Sequence, residues 1–370
     1  MFFFKKNTFF IKFKNMIMEN LNSNFEKKHL SKDLVKKINY FFKILDKLII
    51  THPYFVVIIL HDYFRQIYNY DNYIDFKIKD PVKRFNFTIK NLTNLAISVC
   101  EIGSYNTNKK NNFFFDKVID NLEIKKKTGN VYGPLWEKFS NKQNLEAVSL
   151  LKKRIPFNIF KNKSVLDAGC GGGRYSNAIK ILGAKKVIGV DYGDLGLKIA
   201  KKNYSKVKNI KFKKENILNL TFKDNSFDVV FSNGVIHHST NLKKGLKEIL
   251  RVCKKNGYVW LYLYSIGGVF WYSRRLMNIL MKKIPFSYSQ MILNLIQMPN
   301  NRFIFMDNWY VPIEQHCSHK EIYDYFNKLG VSSIQKISSK NKFDLEYSLK
   351  KNKNSQKIWG EGEIRLLIKK

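Results

Sequence analysis

Ser164-Val-Leu-Asp-Ala-Gly-Cys-Gly-Gly-Gly-Arg-Tyr-Ser176 constrains this chain more than any other stretch of it. A short apolar run, Ser164 to Ala168, enters a turn with glycines at 169, 171, 172 and 173, and a helical pattern resumes at Arg174. Strand, glycine turn and helix start in this order leave backbone amides bare beside the positive end of a helix dipole. Such a turn predicts a nucleotide-type pocket at the carboxyl end of a strand in an α/β fold.

Which nucleotide depends on spacing. In dinucleotide-binding folds the pattern is G-x-G-x-x-G, whose third glycine allows close helix packing. Here that position is Arg174, and the spacing is Gly169-x-Gly171-x-Gly173 preceded by Asp167. A second strand, Lys186-Val-Ile-Gly-Val-Asp191, ends in a carboxylate followed by Tyr192. A carboxylate at a strand tip can accept hydrogen bonds from both ribose hydroxyls. Nicotinamide and S-adenosylmethionine sites share that role, so Asp191 leaves the cofactor open.

Later segments narrow it. Ile210 to Lys214 reads as a strand running into the polar turn at Asn216, and Phe227-Asp-Val-Val-Phe-Ser-Asn233 as another, leading to Gly234 and the pair His237 and His238. Leu246 to Asn256 reads as a helix stopped by Gly257, and Tyr258 to Tyr264 as a fifth strand. With these motifs in order from Ser164 to Tyr264, the chain resembles class I S-adenosylmethionine-dependent methyltransferases of the small-molecule type. The resemblance implies a Rossmann-like seven-stranded mixed sheet with helices on both faces and S-adenosyl-L-methionine as methyl donor. It implies that Gly169, Gly171 and Gly173 pass under the methionine part, with Asp167 near its amino group. Asp191 would hold the ribose and Tyr192 would flank the adenine. Asn216 stands where the family usually has an aspartate facing the adenine amino group, and Asn233 and Gly234 would line the methionine end.

Methyl transfer in this family is an in-line displacement, so the protein's work is alignment and exclusion of water. A general base is needed only when the acceptor loses a proton. His237 and His238 stand at the rim as candidates for that base or for substrate contact, because imidazole titrates near neutral pH. The bland alternative has one ring on a backbone carbonyl and the other in solvent. No metal site is expected: His316 and His319 flank Cys317, and no Cys-x-x-Cys occurs.

Residues 265–329 interrupt the sheet after the fifth strand, where the resemblance implies a substrate cap; Trp271, Arg274, Trp309 and His316 are candidate substrate contacts, and plain core is the alternative for the aromatic set. Ser318 with Glu321 forms a capping box for a helix from Lys320 to Leu329. Strands near Val331–Ile337 and Glu363–Ile368 complete the sheet. The domain reading is a mainly helical N-terminal region, 1–125, with helices over Lys32–Ile50 and Tyr54–Tyr70, followed by a methyltransferase domain, 126–370. Tyr132 and Trp136 precede the catalytic segments and read first as core residues, with the resemblance making them further pocket candidates.

The net charge of +37 invites a nucleic-acid reading, yet 57 of the 66 basic residues are Lys and nine are Arg. Bidentate base contacts favour Arg. The charge is spread as +11, +17 and +9 over residues 1–150, 151–265 and 266–370. A dispersed Lys face is first a solvated face and second an attraction for anionic lipid, RNA or acidic metabolites. Nucleic acid is therefore not favoured as a partner, a small-molecule acceptor is, and peripheral membrane contact without a membrane span stays open. Four cysteines, none at metal spacing, fit a reducing cytoplasm. Two alternatives stand beside a small-molecule methyltransferase: an RNA-modifying methyltransferase and a non-catalytic S-adenosylmethionine-binding protein.

Overall fold

The computed structural model of the chain describes residues 27–68, 80–104, 141–155, 159–296 and 299–370. The first strand, β1 (Ser164–Ala168), is buried on both faces, as a central parallel strand must be. It is followed by α5 (Arg174–Ile181), β2 (Lys186–Asp191), α6 (Asp194–Tyr204) and β3 (Ile210–Lys214). The chain then crosses back to β4 (Phe227–Asn233), a short 3-10 turn (Ile236–His238), α7 (Leu242–Val252) and β5 (Cys253–Tyr264). The sheet has seven strands in the order β3-β2-β1-β4-β5-β7-β6, where β6 is Ser333–Lys336 and β7 is Glu363–Lys369. Strand β7 runs antiparallel to both neighbours. Strand order reverses between β1 and β4, and a crevice opens beyond the carboxyl ends of strands at such a switch point.

Two apolar layers flank the sheet because successive side chains point to opposite faces. Val165, Val187, Val229, Phe231 and Trp260 pack on α4 (Asn141–Arg154), α5 and α6. Leu166, Ile188, Val230, Leu261 and Leu366 pack on α7 and α11 (His319–Lys328). The capping box of α11 is present, with Ser318 and Glu321 each satisfying the other's backbone amide.

A third core lies outside the sheet. Helices α1 (Lys32–Thr51), α2 (Pro53–Tyr68) and α3 (Pro81–Ser104) share it with α8 (Gly268–Met281), α9 (Phe286–Ile296) and α10 (Pro299–Tyr310). Phe64 meets Phe270 and Phe305, Tyr63 hydrogen-bonds Ser273 through their hydroxyls at 2.7 Å, and the Tyr272 hydroxyl donates to Asn39 Oδ1 at 2.6 Å. The N-terminal helices and the segment after β5 thus bury one another. Two further helices between β6 and β7, α12 (Leu345–Lys351) and α13 (Ser355–Trp359), add Ile358 and Trp359 to this core.

One expected boundary is corrected. The helix before β5 ends at Val252, and Gly257 lies inside β5 instead of capping the helix. A β-carbon at Gly257 would stand 2.7 Å from the Asp228 carbonyl oxygen, so this glycine serves close strand approach where the β4–β5 register shifts. Tyr132 and Trp136 lie outside the described residues. No described helix is long and apolar enough to cross a membrane.

Candidate active site

The turn after β1 is tied to β2. The amides of Gly169 and Cys170 both donate to the Val190 carbonyl, at 2.8 and 2.9 Å. Gly173 closes the turn at φ +83°, and a β-carbon there would sit 3.0 Å from Ala200, Phe212 and Tyr204. The last glycine therefore lets α5 lie close to α6 and β3.

Asp191 links the two strand tips. Its Oδ2 accepts the Gly171 amide and its Oδ1 the Gly193 amide, both at 2.8 Å. Burial raises its pKa, and the amides of Gly193 and Gly171 oppose that rise. Each carboxylate oxygen accepts twice, so capacity remains for a pair of hydroxyls. Tyr192 beside it is half exposed, with the Lys214 ammonium 5.9 Å from its ring centre. Asn216 is exposed at the β3 tip, where its Oδ1 accepts the Leu218 amide at 3.0 Å.

Asp167 is buried and accepts the Ser176 hydroxyl at 2.6 Å. Burial, reinforced by the Asp191 charge, pushes its pKa up to about 7. At the tip of β4, Asn233 Oδ1 accepts the Trp260 indole N–H at 3.2 Å, and the Gly234 amide donates to the Tyr262 carbonyl at 3.1 Å.

The two histidines differ. His238 Nδ1 donates to the Ile313 carbonyl at 3.0 Å, which fixes its tautomer. His237 is fully buried, its ring 3.9 Å from the Tyr264 ring and 4.1 Å from His238. Neither ring nitrogen of His237 has a hydrogen-bond partner among the described residues. Burial, then the neighbouring His238, lowers its pKa well below the usual value, so the ring is neutral at neutral pH. One ring on a carbonyl was foreseen; the other is enclosed instead of facing solvent.

Behind these rings stands a buried polar wall. Arg274 Nε and Nη2 donate to the Glu314 carboxylate at 2.6–2.9 Å, and Nη1 donates to Asn308. His316 bridges Glu314 and the Ser265 carbonyl, at 2.5 Å each. Burial alone would raise the Glu314 pKa, but Arg274 and His316 outweigh it and hold the carboxyl well below its usual range. The Tyr264 hydroxyl donates to Asp307 at 3.3 Å, with the Arg274 guanidinium 4.6 Å from its ring centre.

Trp271, Arg274 and His316 therefore gather around Tyr264, but the two polar members are engaged with Glu314. Trp309 stands apart from them: it is fully buried in the helical core, 5.4 Å from Phe305. Sequence reasoning passed over Tyr262 and Tyr264. Alternating aromatics at 258, 260, 262 and 264 were the available signal, since period two puts them on one face. It also passed over Glu363 and Arg365 on β7, which face Tyr264 and Tyr262 in register. The Tyr262 hydroxyl donates to Glu363 at 2.7 Å, and Arg365 Nη2 donates to the same carboxylate at 2.6 Å.

Residues 159–284 match the family model described as "Methyltransferase domain". This match covers the glycine turn, the Asp191 clamp and both histidines on a sheet of order 3-2-1-4-5-7-6. Over these residues the chain carries a methyltransferase domain.

Relatives of the methyltransferase domain include an uncharacterized protein of Methanocaldococcus jannaschii, 36% identical over 34% of this chain and 51% of that protein. The ribosomal protein L11 methyltransferase of Fusobacterium nucleatum is 29% identical over 42% of this chain and 52% of its own length. Demethylmenaquinone methyltransferase of Staphylococcus aureus is 28% identical over 38% and 61%. The chain spans about half the length of the curated relatives it matches. Among solved structures, a methyltransferase in complex with the Haloferax volcanii Trm112 methyltransferase activator is similar to 66% of this chain and 96% of that one. The identity is 15% and the TM-score 0.42.

Proposed function

We propose that this protein transfers a methyl group from S-adenosylmethionine to an oxygen, nitrogen or carbon of a small metabolite of lipid-like, quinone-like or sugar type. The observation that carries the reading is Asp191, a carboxylate at the β2 tip oriented by backbone amides of the turns after β1 and β2, with acceptor capacity left. The donor set fits the cofactor. Asp191 would hold the ribose, Tyr192 would flank the adenine, and Asn216 would accept from the adenine amino group beside its own turn. The turn at Gly169, Gly171 and Gly173 would carry the methionine part, with Asp167 near its ammonium and Asn233 and Gly234 at its end. The cofactor supplies a methyl on a sulfonium, an electrophile that needs no further activation.

The chain's own part is alignment and proton removal. His237, neutral and with both nitrogens open, takes the proton from an acceptor hydroxyl or amine. Tyr264 and His238 fix its ring plane, and the Arg274–Glu314–His316 wall keeps water out from behind. A small acceptor suits a base this enclosed, and one relative is named a demethylmenaquinone methyltransferase.

Calorimetric titration with S-adenosylmethionine should show binding that Asp191→Ala abolishes. Label from the methyl donor should pass to extracted metabolites and not to RNA. Absence of binding by the unaltered protein would overturn the reading, whereas transfer to RNA alone would replace the acceptor class.

A further inference from the structure

Helix α9 runs against the rule that apolar side chains are buried. Its 11 residues include no charged side chain in a chain that is 26% charged, and only Ser289 and Leu293 are buried. Leu295 is 79% exposed and Met291 51%. Beside it, α2 has no charge from Pro53 to His61 and exposes Tyr54, Phe55 and Ile58. The rings of Tyr54 and Tyr288 lie 5.1 Å apart, which joins the two helices into one surface. A contiguous apolar face of this kind marks an interaction site.

Its edge is basic. Lys282 and Lys283 stand ahead of α9, separated from it by Ile284 and Pro285, and the ion pair of Lys283 with Asp46 brings α1, with exposed Lys43 and Lys47, to the same end. Exposed aromatic and aliphatic side chains on adjoining helices, fringed by lysines, have the chemistry of a bilayer interface. The rings and aliphatic chains enter the boundary of headgroup and acyl chain, and ammonium groups meet lipid phosphates. Residues 1–18 repeat that composition with six Phe, four Lys and no acid.

We propose that the α2–α9 face docks this protein on an anionic lipid bilayer. Charge complementarity selects that occupant: α9 and residues 53–61 of α2 hold no acid, the nearby Asp46 and Asp62 are each ion-paired with a cation, lysines stand at the edge, and the chain's net charge is +37. The inference does not rest on methyl transfer. It does connect to the site, because α9 shares its core with α8, whose Trp271 and Arg274 abut Tyr264.

The full chain should co-sediment with vesicles of phosphatidylcholine containing phosphatidylglycerol, less with phosphatidylcholine alone, and less at high salt. The double substitution Met291→Lys/Leu295→Lys should weaken vesicle partition roughly ten-fold or more, since each places a charge in the apolar layer. Phe55→Ser on the other helix should also weaken it. All three positions are exposed, so the fold should survive, as far-UV circular dichroism would show. No sedimentation with the anionic vesicles, or sedimentation unchanged in both variants, would overturn the proposal. So would a soluble dimer that the same substitutions dissociate, because the face would then belong to a second copy.

Discussion

A β-carbon on Gly169 would stand 2.3 Å from both methyl groups of Val235. The turn after β1 and the turn after β4 are thus packed as one unit, and His237 lies two residues beyond Val235. Gly169 also sits at φ +95°, where a side chain is strained. Its missing side chain seats the second turn.

Gly169→Ala should therefore destabilise the protein by about 2–4 kcal/mol through overpacking and left-handed backbone strain. Gly169→Ala/Val235→Ala should relieve only part of the clash, because the Val235 β-carbon itself stands 2.7 Å from the added one, and should be more stable than the single variant. Chemical denaturation of the two variants checks this. Equal stability of the single and double variants would rule out the contact.

Asp167 predicts a pH dependence. Its pKa is raised from 3.8 to about 7, so the folded state holds a proton that the unfolded state releases. Its contribution to stability is complete below the unfolded value and lost as pH rises through about 7, about 4 kcal/mol across that window. Asp167→Asn should gain stability relative to the unaltered protein as pH rises from about 5 to about 8. A pH-independent difference between the two would refute the burial argument.

His237 should carry proton transfer. Its lowered pKa keeps the ring neutral, so the rate should hold steady down to a pH well below 6.5 before falling as the ring protonates. His237→Ala should lower kcat by roughly 10²–10⁴ for an acceptor that loses a proton and leave S-adenosylmethionine affinity unchanged. His238→Ala should do less, since its ring is held by the Ile313 carbonyl. Single-turnover kinetics separate the two effects.

The Arg274–Glu314 pair should matter most to stability. With both side chains over nine-tenths buried, Arg274→Met leaves the Glu314 carboxylate with His316 alone and should cost about 3–5 kcal/mol. Arg274→Met/Glu314→Leu should recover much of that loss. Because the folded Glu314 pKa is depressed, its contribution is present above the unfolded value and lost as pH falls through the folded one. Thermal melts of the single and double variants across acid pH test both points.

The glycine turn, the strand ending at Asp191, the β4 tip and the capping box at Ser318 were all legible because neighbours in the chain make them. A turn needs its own glycines, and a strand its own alternation or apolar run. The β4–β5 connection was misread at Gly257 because a glycine after a helical pattern looks the same whether it caps a helix or kinks a strand. Only the Asp228 carbonyl, across the sheet, tells these apart.

Three further relationships depend on residues far apart in sequence. The described helices within residues 32–104 and 268–310 share one core, although nothing in either stretch of sequence names the other as its partner. Arg274 meets Glu314, which turns two cap candidates into a satisfied wall, and Trp309 sinks into the helical core. Two adjacent histidines, equivalent in the sequence, part company because Ile313 supplies a carbonyl to one and Tyr264 a ring to the other. Apolar periodicity states that a face will be buried but not against what. The partner is chosen by long-range packing, and that choice decides which polar groups at the site are spent and which remain open.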